Sequence, residues 1–279
     1  MSLLDTAPAE AKPVAGASVD LNCDMGEGFG VYPMGDDLAL LESVTSANIA
    51  CGFHAGDPGT IRKTVFAARD RGVAVGAHPS LPDLQGFGRR VMQVSEAEAY
   101  DLAVYQIGAV QAFAAAAGIR LRHVKFHGAL YNMAAKDTAL SRALCQAVRD
   151  VDAALILFAL AGSVTESVAR EMGLPVAAEV FADRSYQDDG SLTPRSRPGA
   201  MITDVEQSLL QVRRMVGEGK VRAQSGKDVP LHADTICVHG DQPDAVSFVR
   251  RLRAALEADG VCVQAPTAER SSPWMADTP

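Results

Sequence analysis

Seven short apolar segments recur along the chain, and each of them ends in polar or glycine-rich sequence. They cover residues 18–24, 46–52, 72–78, 122–127, 153–159, 175–183 and 234–240. Several are apolar at consecutive positions, as expected for strands that are covered on both faces rather than on one. The pattern therefore predicts seven strands of a parallel sheet.

Helical patterns separate the predicted strands. Ser95 and Glu98 predict a capping box ahead of a long alanine-rich helix, and Thr203 and Glu206 predict a second one further along the chain. Pro243 is predicted to start the last helix. A strand and a helix alternate seven times, and this order requires right-handed crossovers and a parallel sheet.

Such a sheet can stay open or close into a barrel. An open sheet of the dinucleotide-binding type would show GxGxxG after its first strand, but here Pro33 and Gly35 interrupt any immediate helix. No GxxxxGK[ST] sequence occurs either, so the chain lacks a P-loop of its own. We therefore expect a seven-stranded parallel β/α barrel, TIM-like, as one domain over residues 18–263. Residues 1–17 are expected to be a flexible leader, and residues 264–279 a C-terminal tail.

Composition and charge exclude several classes of function. The chain has 279 residues, of which 48% are hydrophobic and 22% charged, as in ordinary globular proteins. A net charge of -8 without a long basic run argues against nucleic-acid binding. No apolar run approaches the ~20 residues that span a bilayer, and no signal-peptide pattern opens the chain. Five cysteines without a CxxC pair fit a reduced compartment, so we expect a cytoplasmic protein without a membrane partner.

Polar side chains gather where the predicted strands end, which is where parallel β/α barrels build their sites. Side chains two positions apart on a strand share a face, so several of these residues should point to the same side. Each one alone has a simpler explanation, as a core histidine, a turn cap or a solvated charge. Together they predict a polar cavity, formed by Asn22, Asp24, His54, His78, Lys125, His127, Glu179, Asp183, Arg184, His239 and Asp241.

Six motifs, in order, resemble the LamB/YcsF or lactam-utilisation family, which is identified with the A subunit of the bacterial 5-oxoprolinase. The motifs are VDLNCDMGEGFG, ANIACGFHAGDP, GAHPSLPDLQGFGRR, VKFHGALYN, EVFADRSY and DTICVHGD, and they span about residues 18–262. The resemblance implies a seven-stranded β/α barrel similar to the glycoside hydrolase/deacetylase superfamily. It also implies ATP-dependent opening of the cyclic amide 5-oxo-L-proline (pyroglutamate) to L-glutamate.

The resemblance further implies two partner subunits, B and C, which are similar to allophanate hydrolase or carboxyltransferase components. ATP is the cofactor implied for the complex. Because the chain lacks a P-loop, we expect ATP to be used together with these partners.

Opening a lactam requires a general base near the attacking water and a cation for the developing oxyanion. We expect the base to be Asp24, or His239 oriented by Asp241. Lys125 is expected to stabilise the oxyanion or a phosphate group.

The substrate carboxylate requires an anchor. Arg184, or else Arg89 or Arg90, is expected to bind a carboxylate or phosphate as a fork. Asn22, His127 and Glu179 are expected to contact the substrate from the other strand ends.

Two other interpretations stay open. In the first, Asp24, His54 and His78, with His127 or His239 as a further ligand, hold a divalent zinc or manganese ion. The chain is then a metal-dependent amide hydrolase. Deacetylases that are similar in fold use an Asp/His/His set, which favours this interpretation by analogy alone. In the second, the chain is a non-catalytic subunit that binds the substrate or shapes an interface with its partners.

Overall fold

A computed structural model describes residues 17–239 and 244–267. Two sets of elements build the fold. Its strands are β1 (Ser18–Met25), β2 (Ser46–Ala50), β3 (Ala74–His78), β4 (His123–Lys125), β5 (Ile156–Leu160), β6 (Val176–Phe181), β7 (Lys220–Arg222), β8 (Asp228–Pro230), β9 (Thr235–Val238) and β10 (Cys262–Val263). Its helices are α1 (Asp37–Leu40), α2 (Pro58–Asp70), α3 (Glu96–Ala116), α4 (Gly128–Ala134), α5 (Thr138–Val151), α6 (Val164–Glu171), α7 (Val205–Glu218) and α8 (Ala245–Ala258).

Seven parallel strands close into a barrel in the order β1-β2-β3-β4-β5-β6-β9, and β9 pairs back onto β1. This confirms the predicted seven-stranded β/α barrel. β10 adds a short parallel pairing at the start of β1, and β7 and β8 form an antiparallel hairpin outside the barrel. The sequence patterns predicted neither this hairpin nor the short helix α4, because these elements are too short to show a period.

The helix starts follow the local capping chemistry closely. Ser95 and Glu98 form the predicted capping box at α3. The predicted capping box at Thr203 was wrong, because α7 begins one residue later. Asp204 is its N-cap and accepts a 2.7 Å hydrogen bond from the Gln207 backbone N–H. Pro243 lies outside the described residues.

The barrel interior carries a layer of buried polar side chains near the amino ends of the strands, here called the lower layer. Its centre is Asp20, whose carboxylate accepts hydrogen bonds from the hydroxyl groups of Thr45, Ser46 and Thr235. Burial raises the pKa of Asp20 to about 6, and the three hydroxyl donors only partly offset this effect. The lower layer is therefore closed to solvent and fully hydrogen-bonded at its carboxylate.

A glycine in β3 makes room for a buried imidazole in β4. The His123 ring stacks on Phe158 with centroids 4.2 Å apart, and its Nε2–H donates to Asn48 Oδ1 at 2.8 Å. A β-carbon at Gly76 would lie 2.1 Å from His123 Nε2, so only glycine fits there. Burial lowers the pKa of His123 to about 3, and the ring is therefore neutral.

Among the described residues, no helix combines the length and the apolar character needed to cross a membrane. All five cysteines lie in the described part of the chain and are free thiols, and only Cys262 is exposed.

Candidate active site

A cavity of about 710 Å³ opens at the carboxyl ends of the strands. Its inner wall is formed by polar strand-end side chains, and its outer wall carries cationic and amide side chains from the loops. The inner wall includes Asp24, His78, Lys125, His127 and His239, and the outer wall includes Arg89, Lys136, Arg184, Gln187 and Arg195. The geometry thus collects most of the predicted site residues around one cavity, while their roles stay predictions.

Lys125 is the central cation of the inner wall. Its Nζ lies 3.2 Å from Asn22 Oδ1, 3.0 Å from Asp24 Oδ1 and 2.8 Å from Glu179 Oε1. Burial alone would lower the pKa of Lys125, but the negative charges of Asp24 and Glu179 raise it well above its usual value. Cys237 Sγ also lies 3.0 Å from Nζ, so the three N–H donors of the ammonium group have four possible acceptors.

Asp24 is the carboxylate that faces the cavity. Its Oδ1 accepts from Asn48 Nδ2 at 2.9 Å and from Lys125, and its Oδ2 lies 3.2 Å from His78 Nε2. Burial would raise the pKa of Asp24, but its interactions with His78 and Lys125 hold that pKa well below its usual range. A carboxylate stabilised in this way is a weak proton acceptor.

Asn22 and Glu179 lie beneath the cavity rather than in its wall. Both side chains are fully buried, and Asn22 Nδ2 donates to Glu179 Oε1 at 3.1 Å and to Thr235 Oγ1 at 2.7 Å. The second oxygen of Glu179 accepts from the Tyr131 hydroxyl at 2.7 Å. These two predicted substrate-binding residues therefore hold Lys125 from below, while the cavity wall leaves them covered.

Three imidazoles from neighbouring strand ends form a cluster, here called the imidazole cluster: His54, His78 and His127. The His54 and His127 rings stack in parallel at 3.8 Å, and His78 stands perpendicular to His127. With Glu27, their potential ligand atoms all lie within 4.8 Å of one another. Of the predicted metal ligands, His54 and His78 belong to this group. Asp24 belongs to a second group of potential ligands, with Cys237 and His239.

His239 is held by partners on both ring nitrogens. Its Nδ1 lies 2.7 Å from Asp183 Oδ2, and its Nε2 accepts from Arg195 Nη2 at 2.9 Å. The carboxylate therefore fixes the tautomer with the proton on Nδ1, and the Nε2 lone pair faces the cavity side. Asp241, the predicted partner of this imidazole, lies outside the described residues, and its role stays a prediction.

The sequence signal for the Asp183 pairing lies in the strand order. β6 and β9 are neighbours, with Phe181 opposite Cys237, and Asp183 and His239 each follow two residues later. Only the closed barrel brings these positions side by side, so motif reading alone did not pair them.

Two arginines from the loops after β6 lie in the outer wall. Arg184 is buried, its Nη2 donates to the Thr193 carbonyl at 2.6 Å, and its Nε has no hydrogen-bond partner among the described residues. Burial and the charge of Arg195 together lower the pKa of Arg184 to about 10. Both arginines line the cavity, and a pair of guanidinium groups there favours the binding of an anion.

Arg89 lies exposed at the rim of the cavity. Arg195 carried no signal in the sequence, because it lies in an irregular loop.

Comparisons with known proteins agree on one family. The sequence profile of the LamB/YcsF family matches residues 19–271. The 5-oxoprolinase A subunit of Bordetella pertussis is 64% identical over 248 residues, which cover 89% of this chain and 98% of the relative. The protein of the same name from Bacillus subtilis is 56% identical over 254 residues, covering 91% and 99%.

A solved structure gives the same result for the fold. The lactam utilization protein from Thermus thermophilus superposes with a TM-score of 0.85 at 49% identity. The match covers 89% of this chain and the whole of that one.

Proposed function

Because the chain belongs to the LamB/YcsF family, we propose that it is the A subunit of an ATP-dependent 5-oxoprolinase, which hydrolyses 5-oxo-L-proline to L-glutamate. The relatives are named as A subunits of that enzyme, and this name implies a multi-subunit complex. The observation that carries the proposal is the Asp183–His239 pair in a cavity whose outer wall is cationic. A base beside an anion-binding wall suits the hydrolysis of a small carboxylated lactam.

His239 is the general base of this proposal. Asp183 holds its imidazole in the tautomer whose Nε2 accepts a proton, as the aspartate does in hydrolytic triads. Asp24 is the weaker candidate, because His78 and Lys125 hold the pKa of Asp24 well below its usual range. For His239 to act, Arg195 has to leave Nε2, and binding of an anionic substrate by that arginine supplies a reason to move.

The substrate carboxylate is assigned to Arg184 and Arg195. Both line the cavity, and the unpartnered Nε of Arg184 is a donor that a carboxylate oxygen would satisfy. Arg89 lies at the rim of the same cavity, where its guanidinium would contact a second anionic group, such as a phosphate.

Lys125 acts in this proposal through its charge. It lies between Asp24 and Glu179, and its positive charge offsets part of the negative charge of these two side chains next to the cavity. Lys125 thereby reduces the repulsion between these carboxylates and the phosphoryl group on the lactam oxygen.

We assign ATP to the partner subunits B and C, since the chain has no P-loop. ATP supplies a phosphoryl group that activates the lactam oxygen. Addition of water to the carbonyl carbon and cleavage of the C–N bond then open the ring to γ-glutamyl phosphate. A second water releases phosphate and glutamate. In this chain, His239 takes the proton of the attacking water at Nε2.

The test is glutamate formation from 5-oxoproline and ATP in the complex reconstituted with both partners. Omitting this chain should abolish turnover, and His239→Gln should lower kcat by at least about 100-fold. His232→Gln is a matched control, because His232 pairs with Asp234 at 2.8 Å just before β9, at the opposite end of the same strand. Wild-type turnover with His239→Gln would overturn the assignment of His239 as the base and leave Asp24 as the base or the chain as a non-catalytic subunit.

A further inference from the structure

We propose that Glu27, His54, His78 and His127 form a binding site for one divalent transition-metal ion of the zinc type. The four side chains come from the loop after β1, the loop after β2, the end of β3 and the residue before α4. The inference is independent of the reaction proposed above, because it concerns binding to the isolated chain.

His54 is the first observation. Its side chain is fully buried, and neither ring nitrogen has a hydrogen-bond partner among the described residues. A buried polar group without a partner is costly, and native proteins rarely leave one unsatisfied. Its Nε2 lies 3.5 Å from Glu27 Oε1, which is too far for a good hydrogen bond and suits two ligands on either side of an ion.

The orientation of the other two rings is the second observation. His78 Nδ1 lies 2.7 Å from the Lys125 carbonyl oxygen, and His127 Nε2 lies 2.9 Å from the Phe87 carbonyl oxygen. A carbonyl only accepts, so both of these nitrogens carry hydrogen. Histidines that bind metals usually donate their outer N–H in this way to a carbonyl or a carboxylate.

The inner nitrogens of these rings then point at each other. His78 Nε2 and His127 Nδ1 lie 2.9 Å apart, and His78 Nε2 also lies 3.2 Å from Asp24 Oδ2. Two ring nitrogens at this distance require a proton or a metal ion between or beside them. Glu27 Oε1 lies 3.8 Å from His127 Nδ1 and adds a negative charge on the same side.

The ligand set suits zinc or a similar ion. Three imidazole nitrogens and one carboxylate oxygen are typical zinc ligands, with metal–ligand distances of about 2.0–2.2 Å. All four donor atoms lie within 4.8 Å of one another, so shifts of about 1 Å bring them to one ion. Because His54 and His127 stack in parallel, one ring has to turn for both lone pairs to converge.

The proposed site is also within reach of solvent. His78 and His127 line the cavity, and this gives an ion a path to the site.

The experiment loads the purified full-length chain with Zn²⁺ or Co²⁺, removes excess ion and measures bound metal by elemental analysis. We expect one ion per chain, ligand-field absorption typical of tetrahedral Co²⁺, and a higher melting temperature with Zn²⁺. His54→Gln should weaken binding by at least about 100-fold and remove the Zn²⁺-dependent shift. His239→Gln should leave binding unchanged, because His239 belongs to the second group of potential ligands.

Less than 0.1 ion per chain, or equal binding by wild type and His54→Gln, would overturn the proposal. So would a nitrogen NMR signal for a proton shared by His78 and His127 that persists at saturating Zn²⁺. Binding is measured without the partner subunits, so this proposal can fail while 5-oxoprolinase activity is intact, and the reverse also holds.

Discussion

The two ends of the barrel interior bury polar side chains in opposite ways. In the lower layer, the Asp20 carboxylate accepts three hydroxyl hydrogen bonds and is closed to solvent. At the mouth, His54 and the Nε of Arg184 are buried without hydrogen-bond partners among the described residues. Buried polar groups that are satisfied contribute to the structure, whereas buried groups held unsatisfied point to a ligand.

Lys125 lies between these two ends of the barrel interior. Its substitution should have the largest effect, because it should change both stability and turnover. Lys125→Met leaves Asp24 and Glu179 close together in the interior without their cation. We expect a loss of about 3–5 kcal/mol in unfolding free energy and no measurable turnover. Urea unfolding and glutamate formation in the reconstituted complex measure the two effects.

A double variant separates stability from chemistry at this position. Lys125→Met with Glu179→Gln removes one charge of each sign, so much of the lost stability should return while turnover stays absent. Recovered turnover would show that Lys125 acts only as a structural cation.

Gly76→Ala perturbs the lower half of the barrel. Its β-carbon would lie 2.1 Å from the buried His123 ring, and we expect a loss of about 3 kcal/mol. Adding His123→Ala should make room for the methyl group, so the two substitutions together should cost less than the sum of the single ones. In Gly76→Ala, turnover per folded molecule should stay near wild type. A large loss of kcat would mean that packing in the lower half of the barrel affects the chemistry at the mouth.

Asp20→Asn tests how the lower layer contributes to the pH dependence of stability. Because the folded-state pKa of Asp20 is about 6, above the usual 3.8, proton uptake stabilises the native state at low pH. This stabilisation is complete below about pH 4 and is lost as the pH rises through 6. Relative to Asp20→Asn, wild type should therefore gain about 2.4 kcal/mol between pH 7 and pH 4, as measured by chemical unfolding. Parallel stability curves for the two proteins would contradict this.

Tyr131→Phe should have the smallest effect. It removes the hydrogen bond from the tyrosine hydroxyl to Glu179 Oε2, and we expect a loss of about 1–2 kcal/mol. Because Glu179 lies beneath the cavity, kcat should fall only a few-fold. A loss comparable to that of Lys125→Met would place Tyr131 in the chemistry itself.

Much of the fold could be predicted from the sequence because its signals are local. Apolar runs marked the seven barrel strands, and capping residues such as Ser95 marked helix starts. The N-cap of α7 was misplaced by one residue, since Thr203 and Asp204 are adjacent and both are good N-cap residues. The hairpin of β7 and β8 has three residues in each strand, too few for a periodic pattern.

The candidate site could be predicted in outline but not in its pairings. Strand periodicity placed Asp24, Lys125 and His239 at the correct end of the barrel. It did not show how deep in the barrel each side chain lies. Asn22 and Glu179 were therefore expected in the cavity, whereas they lie buried beneath it. Pairings depend on which strands are neighbours, and loop residues such as Arg195 and Glu27 take their places from long-range contacts that no local pattern records.

The pairing of β1 with β9 has a consequence for the folding of the protein during its synthesis on the ribosome. Asp20 and Thr235, which face each other across this seam, are 215 residues apart in the chain. β1, the first strand of the described barrel, therefore keeps one unpaired edge until β9 has been synthesised. Contacts of such long range slow folding, and exposed strand edges promote aggregation. This topology therefore requires that the nascent β1 strand is protected, for example by a chaperone, until β9 can pair with it.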